Sequence, residues 1–187
     1  FGFSRGAAQA RVFTSWLHQL MLTGGRLFGV PAHVRMLGLF DTVSSVGRGE
    51  MLAGSGHGGW ADYLDLRIRP EVHNCVHYVA LHELRTNFPL DSVRVGNEVP
   101  ANCNEHFCPG AHSDVGGGYA AGEQGKGIRR ELASSYEGIN TYRHFRDDAY
   151  KLSQLPLNLM LEAARATCIN AHTSPWMDFS SEEGTRT

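Results

Sequence analysis

The sequence predicts an α/β fold, and three observations predict it. A Gly-x-Ser-x-Gly pentapeptide, Gly2-Phe3-Ser4-Arg5-Gly6, joins the end of an apolar segment to a long amphipathic stretch. A run of apolar residues over 33–40 then ends on Asp41, in the manner of a buried strand that delivers an acid at its carboxyl end. Further apolar segments alternate with helix-like ones along the rest of the chain, the pattern of a sheet with helices packed on it.

The elements follow in order. Phe1-Gly2-Phe3 is the end of a strand. From Arg5 to about Leu22 the residues Ala8, Val12, Phe13, Trp16, Leu17, Leu20 and Met21 fall on a helical stripe, and Gly24-Gly25 stop it. Pro31 precedes the strand over 33–40. Residues 44–60 hold six glycines and read as a mobile surface loop. Pro70 can open a helix, and Val72, Cys75, Val76 and Val79 share a helical face, so 71–83 reads as helix. Its β-branched content keeps a strand as the rival. His106 to Cys108 belong to a short strand, followed by the loop Gly110-Ala111-His112-Ser113-Asp114-Val115-Gly116-Gly117-Gly118-Tyr119. Residues 120–135 are polar and glycine-rich and read as a flexible excursion. Pro156 opens a last helix with Leu157, Met160, Leu161 and Ala164 on one side. The tail after Pro175 has little pattern, and no internal repeat is present.

Composition narrows the function. The chain has 187 residues, with Lys+Arg 17 against Asp+Glu 19. Nucleic-acid binding wants a clustered basic excess, so nucleic acid is not the expected partner. Hydrophobic residues at 42% and charged residues at 19% make a globular composition. The apolar runs fall far short of the roughly 20 residues that span a bilayer. No signal peptide is expected at its start, because the first residues already read as part of a folded motif. The length suits one domain, and residues 1–187 read as part of a single domain whose upstream strands are missing, since a lone strand end comes first. Four cysteines (75, 103, 108, 168) without a CxxC pair make no disulfide framework, although a Cys103–Cys108 bridge remains open in an oxidising compartment.

The pentapeptide carries chemistry. A serine nucleophile must stand out on a sharp strand-to-helix turn, and small residues two before and two after it relieve the crowding. Both are glycine here. Ser4 then sits at a helix N-terminus, where backbone N–H groups favour developing negative charge, and the N–H of Arg5 is one oxyanion donor. The plainer alternative is Ser4 as an ordinary helix cap. Such a serine needs a base, and the base an orienting carboxylate. In α/β-hydrolases the chain order is Ser, acid, His. Asp41 fits as the acid, unless it only caps the next turn. Of the ten histidines, His112 fits best as the base, because it follows Asp41 in a glycine-rich loop. Asp114 is the alternative acid, although a loop-shaping role suits it better.

Five blocks occur here in the same order as in one family: GFSRGAAQAR at 2–11, GLFDTVSSVG at 38–47, VALHELRTNF at 79–88, PGAHSDVGGGY at 109–119 and LSQLPLNLMLEAA at 152–164. Over roughly residues 1–168 the chain resembles the α/β-hydrolase domain of bacterial type VI secretion lipase effectors of the GFSRG type, a domain shared with uncharacterised fungal proteins. The fold that the resemblance implies is an α/β-hydrolase, here a fragment with the nucleophile elbow and the C-terminal part of the sheet. The implied function is a phospholipase of the A1 or A2 type, an antibacterial toxin that attacks membrane glycerophospholipids. The triad carries over as Ser4, Asp41 and His112, with no cofactor and no metal. The resemblance also implies a secretion spike protein and an immunity protein as partners. It implies synthesis in a bacterial cytoplasm and action in the periplasm of a target cell. The chain departs from the family at His82, where an acidic residue is usual, and it lacks the upstream Asp-Gly-Thr loop that should carry the second oxyanion donor. Without that loop the fragment alone is expected to be inactive. By the same resemblance, a mobile roof over an apolar mouth is expected from 44–60 and 120–135.

Other chemistries fit less well. Cys103, His106, Cys108, His112 and Asp114 crowd together, and His73, Cys75 and His77 alternate, but the spacing matches zinc sites only loosely. Gly122 to Gly127 has a P-loop look, yet Gly127 stands where Ser or Thr is required and no strand precedes it. A general carboxylesterase and a non-catalytic binding module of the same fold are the rival functions.

Overall fold

In a computed structural model the described residues are 1–20, 25–44, 66–117, 130–136, 139–144 and 151–169. Strand β1 (Gly2–Phe3) leads into helix α1 (Arg5–Leu20). The short strands β2 (Arg26–Leu27) and β3 (Val30–Pro31) form a hairpin, with Phe28 and Gly29 both at positive φ in its turn. Strands β4 (Val34–Phe40), β5 (Val72–Ala80) and β6 (Cys103–Cys108) follow, then helix α2 (His112–Gly116). Strands β7 (Arg130–Tyr136) and β8 (Ile139–His144) pair antiparallel, and helix α3 (Gln154–Ile169) ends the described part.

The main sheet runs β1-β4-β5-β6, and each neighbouring pair is parallel. The molecule is thus of the α/β class, a parallel sheet with helices on it. Alternation along the strands builds two cores. On one face Leu37 and Leu39 of β4, Cys75 of β5 and Cys103 of β6 pack with Ala7 of α1. On the other, Val76 and Tyr78 of β5 and Cys108 of β6 pack with Met160 of α3.

Several expectations change. Residues 72–80 are a strand, not the predicted helix. Strand β5 is central, with β4 and β6 on either side, and Cys75 to Val79 are all buried. A strand covered on both faces loses its alternation, so its burial imitates a helical stripe. The segment after Gly110 is not all loop: His112 to Gly116 make one helical turn that ends at Gly117, φ 70°. The excursion predicted for 120–135 contains β7 from Arg130 onward. The loop expected at 44–60 lies almost wholly outside the described residues, as do 120–129 and the tail.

The buried side of α1 also differs from the apolar stripe. Ala7, Ala8, Arg11, Val12, Thr14 and Ser15 are buried, whereas Phe13, Trp16 and Leu20 are more than half exposed. Small residues let the helix axis approach the sheet, which bulky ones would prevent. Helix α3 begins before Pro156, which sits in its first turn and is fully buried with Met160 and Ala164, while Leu157 is exposed. Cys103 and Cys108 stand at opposite ends of β6 and are free thiols, as is Cys75. Five residues of extended strand hold them roughly 16 Å apart, beyond any disulfide. No described helix is long and apolar enough to cross a membrane.

Candidate active site

Ser4 follows the last residue of β1 and precedes α1. Its N–H donates to the Phe40 carbonyl (3.0 Å), and its own carbonyl accepts the N–H groups of Ala7 (3.0 Å) and Ala8 (3.2 Å). The chain therefore turns from sheet to helix within one residue. Ser4 has φ 56°, in the left-handed region, whereas an ordinary helix cap is extended. The turn brings Gly2 against α1: a Cβ on Gly2 would lie 2.3 Å from the Gly6 carbonyl oxygen. The crowding is one-sided, because a Cβ on Gly6 would meet nothing within 4 Å.

Asp41 occupies the equivalent place at the end of the neighbouring strand, since Phe3 pairs with Phe40. It also has positive φ, 40°. Its N–H donates to Tyr78 O (2.7 Å), and its Oδ1 accepts the Ala80 N–H (2.9 Å). Its Oδ2 lies 2.7 Å from His112 Nδ1. Both side chains are about 5% exposed. His112 comes from the loop after β6, as the first residue of α2. Its ring lies between Phe3 (centroids 4.5 Å apart) and Phe88 (4.8 Å). Phe3 immediately precedes Ser4, so the imidazole packs on the residue before the serine, and no hydrogen bond joins Ser4 to His112 in this structure. The other carboxylate, Asp114, points elsewhere: its Oδ2 accepts the Ala111 N–H (2.8 Å) at the start of α2.

The residues after Asp41 are pinned one by one. The Thr42 N–H donates to His77 Nε2 (3.1 Å). The Val43 N–H donates to Ser4 O (3.3 Å), which ties the acid loop to the serine turn. The Ser44 N–H donates to Asp91 Oδ2 (2.6 Å), and the Asp91 N–H to Thr42 O (2.9 Å).

Sequence reasoning missed the brace around His112. Glu83 Oε2 accepts the His112 N–H (3.1 Å) and, with Oε1, takes a bidentate bond from Arg85. The Arg85 guanidinium hydrogen bonds outweigh partial burial and hold the Glu83 carboxyl at about 2. Arg85 also lies 4.0 Å over the Phe88 ring. All three belong to the VALHELRTNF block, whose quoted order was the available signal. His82, the departure from the family pattern, has a task of its own: its Nδ1 accepts the Gly110 N–H (3.0 Å), where the chain turns at φ 105°. A cleft of about 390 Å³ opens beside Asp41, walled by Ala80, Glu83, Arg85, Phe88 and Leu90. The larger cavity of about 560 Å³, lined by Arg35, His73, Tyr78, His106 and Thr167, is on the α3 face of the sheet. Among the described residues no cluster of three His, Cys, Asp or Glu side chains could hold a metal ion.

The parallel sheet with helices packed on it defines an α/β protein, and Ser4, Asp41 and His112 lie beyond the carboxyl ends of its strands. The model of the type VI secretion phospholipase effectors, Tle1-like, catalytic domain, matches residues 23–163, and the chain belongs to that family. Two solved structures are similar. An uncharacterized protein from Pseudomonas aeruginosa is 31% identical, with a TM-score of 0.62 over 89% of this chain and 23% of that one. The Tle1 effector bound to the VgrG spike of the type 6 secretion system is 30% identical, with a TM-score of 0.48 over 73% of this chain and 29% of that one. The chain thus spans about a quarter of the length of these structures. No curated protein matches it.

Proposed function

We propose that the chain carries the α/β-hydrolase site of a phospholipase of the A type, which cleaves acyl esters of membrane glycerophospholipids through a serine acyl-enzyme. His112 Nε2 takes the Ser4 proton as Oγ attacks the ester carbonyl. Asp41 holds the imidazole by Nδ1 and stabilises the imidazolium that forms. The Arg5 N–H, at the start of α1, stabilises the oxyanion. Collapse expels the lysophospholipid alkoxide, which takes the proton back from His112. A water then repeats the sequence on the acyl-enzyme and frees the fatty acid. The observation that carries this reading is the buried 2.7 Å Asp41–His112 bond, whose imidazole packs on Phe3, next in sequence to a serine held at φ 56°.

Family membership supports the lipid substrate, because the geometry suits any ester. It likewise supports delivery by a type VI secretion spike into a target cell, with phospholipid membrane in the periplasm as the place of action and an immunity protein in the producer.

The test uses the whole natural protein that carries this chain. A fluorophosphonate probe should label it, and Ser4→Ala should abolish both labelling and fatty-acid release from phospholipid vesicles. Turnover of short soluble esters with none on vesicles would leave a general carboxylesterase. A folded protein that neither labels nor hydrolyses would leave a binding module.

A further inference from the structure

Behind the Asp41–His112 pair stands a second buried carboxylate–histidine pair that the reaction does not use. His77 on β5 is fully buried, and its Nδ1 lies 3.1 Å from Glu105 Oε2 on β6. Its Nε2 lies 3.1 Å from both the N–H and the Oγ1 of Thr42, the residue after Asp41. A backbone N–H can only donate, so Nε2 must offer a lone pair and the ring proton must sit on Nδ1, facing Glu105. Glu105 is itself held by the Ser92 hydroxyl (2.8 and 2.9 Å), the Val93 N–H (2.9 Å) and Arg94 (3.4 Å). Arg11, nearby and buried, donates to the carbonyls of Asp91 and Ser92 in the same segment.

From this arrangement we infer that His77 is a positioning residue for the acid: Glu105 fixes its tautomer, and its Nε2 anchors the Thr42 amide, so that Asp41 keeps the left-handed backbone that aims its carboxylate at His112. The inference rests on the assignment of Asp41 and His112 made above. Three features support it. The Asp41 φ of 40° is costly for a residue with a side chain and persists only where its neighbours enforce it. Thr42 is wholly buried, so its N–H has no water to fall back on. Burial outweighs Glu105 in lowering the His77 pKa, which keeps the ring neutral and Nε2 able to accept. A displacement of about 1 Å at a reacting group costs about 100-fold in rate.

The experiment measures kcat and KM on a soluble ester for the whole protein, with circular dichroism to confirm folding. His77→Leu should lower kcat by roughly 10- to 100-fold with KM little changed, and His77→Gln, whose amide oxygen can accept the Thr42 N–H, should recover most of it. Glu105→Gln can donate to Nδ1 and so favours the wrong tautomer; it should lower kcat in the same way, and it decides the matter if His77→Leu does not fold. In an Asp41→Asn background His77→Leu should add almost nothing. The low-field proton resonance of the His112–Asp41 bond should shift or vanish in His77→Leu and Glu105→Gln. Folded variants with unchanged kcat and resonance, or losses that simply multiply with Asp41→Asn, overturn the inference. Wild-type turnover that survives Ser4→Ala overturns the triad reading instead, and is seen before any His77 variant is made.

Discussion

Gly2 tolerates no side chain, because the place of its Cβ is filled by the backbone of Gly6 and Ala7. Gly2→Ala must open the turn that holds Ser4. It should therefore lower the rate of fluorophosphonate labelling by at least 10-fold, while Gly6→Ala, with open space around it, should label at near the wild-type rate. Labelling time courses on the two variants make the comparison. The two aspartates separate in a similar way. Asp41→Asn removes the acceptor for His112 and favours the wrong tautomer, so kcat should fall on the order of 10⁴-fold with the fold intact. Asp114→Asn weakens the cap of α2 and should cost about 1 kcal/mol in a urea melt, with a far smaller effect on kcat. The residues of the proposed triad were visible in the sequence because each closes an apolar segment or follows one. The roles of Glu83, Phe88 and His77 were not, since they depend on contacts between segments far apart in the chain, and nothing in a single sequence displays which side chains will face one another.

Helix α1 docks through Arg11 rather than through its bulkiest apolar residues. The guanidinium reaches the carbonyls of Leu66 (2.6 Å), Asp91 (2.6 Å) and Ser92 (3.1 Å), and Arg11 is only 3% exposed. Arg11→Met keeps the aliphatic stem but strands three carbonyls away from water. It should destabilise the protein by about 2–4 kcal/mol, read as a shift of the urea midpoint at constant slope. This docking explains why periodicity placed the helix correctly and its buried face incorrectly. Hydrophobic pattern assumes that the largest apolar groups go inward, whereas Ala7, Ala8 and Ser15 win here through close approach. Strand β5 misled for the opposite reason. Cover on both faces erased the period of two that identifies a strand, and only its valines and Tyr78 argued for one.

At the scale of the molecule, the sheet buries charge as well as apolar surface, and this sets the response to acid. Burial opposes ionisation of Glu105, but the bonds from His77, Val93 and Ser92 prevail and hold it at about 2, below the ordinary 4.5. His77 is lowered from 6.5, chiefly by burial. Both depressed values mean that the unfolded chain binds protons before the native one does, so stability falls as pH falls. The loss begins as the pH drops below about 6.5 through His77. It continues from about 4.5 down to about 2 through Glu105, which alone contributes on the order of 3 kcal/mol. Urea midpoints at pH 7, 5.5 and 4 should decline in that order, and Glu105→Gln should flatten the lower part. A midpoint that is constant from pH 7 to 4 would contradict this account.

The parallel pairing of the sheet has a consequence in time. Asp41 and His112 are 71 residues apart, and Ser4 lies further still from His112 along the chain. No hairpin links β1, β4, β5 and β6, so every pairing must wait for a long loop to close. Helices α1 and α3, held by local bonds, can form early in refolding, but the proposed constellation has no partial version. It comes into being only when β1, β4 and β5 are in register and α2 has come to rest over the end of β5. The proposed hydrolase activity should therefore return later than helical circular dichroism after dilution from urea, and a half-assembled chain would carry its helices without the proposed chemistry.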